Sequence, residues 1–125
     1  MTDINLELEL QGQDATEETL LSLQDWIQQE HISGLKQVEP ETGEAETGKM
    51  GIDPITVLSV VLASQAVIEL VKAIHVWIQA TRPKVTMKVQ VAENSFVEVS
   101  AENLPEMNLF VDQVLQKVKA LEAGD

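Results

Sequence analysis

The sequence predicts an α+β fold in the order β-α-β-α-β-β-α. It implies a mixed four-stranded sheet with helices mainly on one face and a long central apolar helix. Three observations carry this expectation. Short runs alternate apolar and polar residues, as half-buried strands do; other runs repeat apolar residues every three or four positions, as helices do; and the two kinds of run follow one another along the chain. With 125 residues and 44% hydrophobic content, residues 1–125 are expected to form one domain with a sizeable core. Aromatic residues make up only 3%, so Val, Leu and Ile must supply that core.

The first strand is read from Ile4, Leu6, Leu8 and Leu10, which alternate with Asn5, Glu7 and Glu9. A turn follows at residues 11–14. Asp14 and Glu17 resemble a capping box that opens a helix over residues 16–31, with Leu20, Leu23 and Ile27 on its apolar face and Gly34 as its stop. Residues 35–39 suit a second strand ended by Pro40. Residues 40–52 form an acidic, Gly-rich loop. Asp53 and Pro54 are a suitable cap and first residue for the next helix, which meets no breaker before Pro83. Val85, Met87, Val89 and Val91 mark a third strand, and residues 96–99 return as a fourth in a hairpin. Met107, Phe110, Val111, Val114, Leu115, Val118 and Leu121 give the last helix its stripe. Two strand–helix–strand crossovers then imply parallel pairs, with an antiparallel hairpin at the end.

Charge narrows the function. The net charge is −13, and residues 1–48 hold twelve acids against one base, Lys36. So acidic a chain repels nucleic acid and anionic membrane surfaces and attracts basic partners. Absent cysteine excludes disulfides, zinc thiolates and a thiol nucleophile. No basic-then-apolar leader stands at the amino terminus, so a cytoplasmic location is expected.

The stretch GEAETGKM, residues 43–50, matches a phosphate-binding loop except at its last position. That position must supply a hydroxyl to magnesium, and Met50 has none; Glu44 and Glu46 would repel a polyphosphate. The segment reads as a linker, and no nucleotide or other cofactor is expected. His31 and His75 lie far apart with no metal-binding spacing; His31 reads as a helix-end or surface residue and His75 as a partly exposed structural one. No G-x-S-x-G elbow surrounds any serine, and Glu39, Glu41, Glu44 and Glu46 lack the spacing of a calcium loop. The expectation is a non-enzyme without a metal site.

Residues 54–80 carry the most distinctive segment, with 14 consecutive uncharged residues from Ile55 to Ile68. Glu69 and Lys72 then interrupt it, short of the roughly 20 apolar residues that span a bilayer. Two readings follow. In the first, a soluble core helix is either covered completely within the monomer or leaves a flank including Val60, Val61, Ala63, Val67 or Val71 for a partner or a second copy. The alternative is a membrane-associated protein that inserts the 54–80 helix.

Several marks combine into a family pattern. They are INLELEL, the helix with LSLQDWI, the run KQVEPETG leading to KMG, the long Ala/Val/Leu segment, WIQATRPKVTMKVQV, and the terminal apolar helix. Together they resemble the effector-associated constant component family of small bacterial proteins. Here the middle segment is richer in Val and Ile and the loop is acidic rather than Pro-rich. The resemblance implies a non-enzymatic accessory or adaptor protein. It would work with protease or caspase-like effectors, or their sensors, in bacterial defence or signalling. For such a partner, Glu39, Glu41, Glu44, Glu46 and Lys49 are the candidate charged contacts and Val60, Val67 and Val71 the candidate apolar ones. Trp26 and Trp77 read as core anchors.

Overall fold

A computed structural model describes residues 3–40, 56–92 and 95–123. The elements are β1 (Asp3–Gln11), α1 (Glu17–Gln29), β2 (Leu35–Pro40), β3 (Val57–Ala63), α2 (Val67–Thr81), β4 (Thr86–Ala92), β5 (Ser95–Ser100) and α3 (Met107–Ala123). A single 3-10 turn, Ser64–Ala66, joins β3 to α2.

The strands form one five-stranded sheet in the order β2-β3-β1-β4-β5, and every neighbouring pair is antiparallel. The expected four-stranded mixed sheet is corrected on both counts, for one reason. The α1 crossover joins β1 to β2, but β3 lies between them. The α2 crossover joins β3 to β4, but β1 lies between them. Each crossover links strands running the same way and leaves a slot filled by an opposite one, as in split β-α-β folds. β5 and α3 extend this arrangement at the β4 edge.

The long central helix is also corrected. Residues 57–63 are a strand, and the helix occupies only Val67–Thr81. Leu58, Val60 and Leu62 are fully buried while Val57, Ser59, Val61 and Ala63 are half-buried, the period-two pattern of a pleated strand. β-branched residues crowd this stretch and pack well against cross-strand neighbours. Val60 stands beside Leu6 on one side and Val38 on the other. Thr56 extends the ladder: its Oγ donates to the Leu10 carbonyl at 2.7 Å, and its own carbonyl accepts from the Leu10 N–H at 2.9 Å.

All three helices stack on one face. The inward residues of β1 (Ile4, Leu6, Leu8, Leu10) meet Leu20, Leu23 and Ile27 of α1, Leu70, Ile74 and Trp77 of α2, and Phe110 and Val114 of α3 in one core. α2 lies in the middle, with α1 toward β2 and α3 toward β4 and β5. Removing these side chains from water, at roughly 25 cal/mol per Å² of apolar area, is the main force holding the layers together.

Local chemistry fixes the ends. Thr16, not Asp14, caps α1: its Oγ accepts from the Thr19 N–H at 3.2 Å. The Asp14 carboxylate instead accepts from the Lys84 N–H at 2.9 Å, and the Asp14 N–H donates to the Lys84 carbonyl at 3.1 Å. The β1–α1 turn is thereby clamped to the loop after α2. That approach requires Gly12, which sits at φ +125° and whose absent Cβ would lie 2.8 Å from the Lys84 carbonyl oxygen. Gly12→Ala is expected to cost about 1–3 kcal/mol, read as a lower urea midpoint at unchanged slope; an unchanged midpoint would contradict this geometry. α2 ends on Arg82, in the left-handed region at φ 44°, ψ 56°, with its N–H bonded to the Ile78 carbonyl at 2.8 Å. Pro83 follows, where no further helix can form.

Candidate interaction surface

The strands alternate, so the residues opposite the core form a second face. Among the described residues no helix or strand covers it. Cross-strand register arranges it in rows. One runs Glu39, Ser59, Glu7, Gln90, Phe96 across β2, β3, β1, β4 and β5. A second runs Val57, Glu9, Lys88, Glu98. Adjacent strands lie about 4.8 Å apart, which separates Glu39 from Glu7, and Glu9 from Glu98, by roughly 10 Å.

This face is acidic and partly apolar. Asp3, Glu7, Glu9, Glu39 and Glu98 stand against Lys36 and Lys88. Lys36 is 3.8 Å from Asp3, both side chains about half exposed, so the pair adds little stability. Lys88 lies between Glu9 and Glu98 in its row, with its ammonium 4.6 Å from the centre of the Phe96 ring. Along β3, Val57, Val61 and Ala63 are half-buried, and Phe96 is 40% exposed. An apolar seam thus runs beside a row of carboxylates.

The predicted contact residues divide three ways. Glu39 is exposed on β2 and belongs to this face. Glu41, Glu44, Glu46 and Lys49, with the phosphate-loop-like residues 43–50, lie outside the described residues. Val60, Val67 and Val71 are 0% exposed and present nothing to a partner. That expectation is corrected: Val60 points from β3 into the helix layer, and Val67 and Val71 pack inward from α2. They were grouped by helical spacing across a segment that changes period at residue 64. Val61 and Ala63, named in the same flank, are half-buried on the open face. Sequence alone places Glu7 and Glu9 on the polar side of the first strand but not among the contacts, and singles out none of Glu98, Val57 and Phe96. The polar half of INLELEL was the signal for Glu7 and Glu9.

Trp77 is buried, and Trp26 packs partly buried against the core. His31 is exposed just past α1, at φ 50°. His75 is more deeply buried than expected, at 3% exposure. Its Nε2 lies 2.8 Å from the Pro105 carbonyl and its ring 6.0 Å from that of Phe110, tying α2 to the entry of α3.

A cleft of about 570 Å³ opens where the β1–α1, α2–β4 and β5–α3 connections meet. Gln11, Gln13, Arg82, Lys84, Glu102 and Asn103 are among its lining residues, with charges of both signs. Among the described residues no three His, Asp or Glu side chains group as a metal site. Nor is any helix among them long and apolar enough to cross a membrane. The membrane alternative required residues 54–80 as one helix. The 15 residues of α2 reach only about 22 Å against a hydrocarbon core of about 30 Å.

Among the described residues, fold and surface define a split β-α-β module with its helices on one side and an uncovered, acidic sheet face on the other. The chain belongs to the Effector Associated Constant Component 1 family, whose model matches residues 11–122. No curated protein and no solved structure matches it.

Proposed function

We propose that this chain is a non-catalytic accessory component that docks an effector or sensor protein of a bacterial defence or signalling system in the cytoplasm. The observation that carries the reading is a sheet face left uncovered among the described residues, on a member of an effector-associated family. A layered fold ordinarily covers both faces of a sheet or makes the uncovered one wholly polar. Here half-buried valines and an exposed Phe96 remain among the charges, a mixture suited to a protein contact. Family name and surface support binding; the absence of catalysis is part of the proposal.

Co-expression with the proteins encoded beside it, followed by affinity isolation and light scattering, tests the reading. A complex of fixed stoichiometry with one of them is expected. A chain that remains alone with every such neighbour would overturn the proposal, as would turnover of a substrate by the chain itself.

A further inference from the structure

We infer that the open sheet face receives a cationic, amphipathic segment of the partner protein, with its Lys or Arg side chains over the β1 carboxylates and its apolar side over the β3 seam. The inference rests on the docking reading above and names the chemistry of the partner at that surface.

The charges select among occupants. Among the described residues the face carries five carboxylates and two lysines, and both lysines already have acidic neighbours: Asp3 for Lys36, Glu9 and Glu98 for Lys88. The excess is therefore acidic, with Glu7 and Glu39 in one row and Glu9 and Glu98 in the next. A second copy of the chain laid face to face would set these rows against their own kind. The acidic run Glu41, Glu44, Glu46 would meet like charge if it folded back, and nucleic acid is repelled for the same reason. A cationic partner gains from every row. Like-charge juxtaposition costs several kcal/mol, whereas complementary charge also speeds encounter.

The apolar groups set the second requirement. Val57, Val61 and Ala63 line β3 beside β1, and Phe96 stands on the same face at the β5 edge. A purely charged ligand would leave these side chains wet. A segment with basic residues along one edge and aliphatic residues along the other covers both. The edges of the sheet are poorer sites for strand addition on the β2 side, where a bulge between Leu35 and Gln37 and the terminal Pro40 interrupt pairing.

The test uses the complex formed with the co-expressed neighbour. Two variants are compared with the parent chain: Glu7→Lys/Glu9→Lys/Glu39→Lys on the sheet, and Glu17→Lys/Glu18→Lys/Glu69→Lys on the helix layer. Both alter exposed or half-exposed positions, and circular dichroism and thermal melts verify that each is folded. The sheet variant is expected to weaken binding roughly a hundredfold, since each tenfold is about 1.4 kcal/mol. The helix variant is expected to bind within about threefold of the parent. Parent affinity should also fall steeply between low and physiological salt. Loss on the helix variant with retention on the sheet variant would overturn the inference while leaving docking intact. So would salt-insensitive binding, or a complex containing only copies of this chain. If the sheet variant does not fold, Glu7→Gln/Glu9→Gln/Glu39→Gln replaces it and must still lose at least tenfold. Failure of every neighbour to bind the parent would remove the docking reading and this inference together.

Discussion

Trp77→Ala is expected to destabilise the chain by about 3–5 kcal/mol, a large share of the roughly 5–15 kcal/mol available to a domain. Trp77 is among the largest fully buried side chains and sits on the middle helix, facing a core shared by the sheet and all three helices. Deleting the indole removes its apolar burial and leaves a cavity that strands and helices cannot both move to fill. Trp77→Phe should cost much less. Among the described residues the buried indole N–H finds no hydrogen-bond partner, so Phe removes an unsatisfied donor along with some volume. Urea unfolding of the three proteins checks this. Equal losses for Ala and Phe would mean that the indole nitrogen has a partner and that the packing of α2 differs from that described.

The second large effect separates neighbouring valines. Val60→Lys is expected to prevent folding or to cost more than about 4 kcal/mol, because it places an unpaired ammonium in the core. Val61→Lys should cost about 1 kcal/mol or less, since the side chain emerges on the open face of the same strand. Val60 is 0% exposed and Val61 half-buried. This contrast between adjacent residues arises from period two. Thermal melts of both variants decide it, and similar behaviour of the two would place them on a surface without strand alternation.

Most of the fold was legible because most elements carry their period openly. β1 alternates leucine with glutamate, so both its form and its wet side could be read. α3 repeats apolar residues at helical spacing, and Phe110, Val111, Val114 and Val118 are buried as that stripe requires. β3 was illegible because its open face bears Val57, Val61 and Ala63 rather than charges. With Ser59 the one polar residue of the strand, it is indistinguishable by periodicity from a buried helix segment. Its β-branched residues were the remaining clue. Losing β3 also changed the inferred topology: without it, both crossovers appear to join adjacent, hence parallel, strands.

The surface followed the same logic. Glu39 could be chosen from charge alone, but its row with Ser59 and Glu7 exists only because β3 lies between β2 and β1. Sequence separation hides such a juxtaposition. Val60, Val67 and Val71 share a helical stripe on paper, yet the chain turns through Ser64–Ala66 between the first and the others. What the sequence shows as one apolar element is a strand followed by a helix, and both send these valines into the core.

Residues 57–63 complete the sheet between β1 and β2, which creates the acidic rows on the face opposite the helices. Nuclear Overhauser contacts across the strands test this arrangement most directly. Backbone contacts are expected to place Leu6 beside Val60 and Leu8 beside Leu58, with Val38 beside Val60 on the other side. Helical contacts between residues three apart throughout 57–63, without those cross-strand contacts, would contradict it.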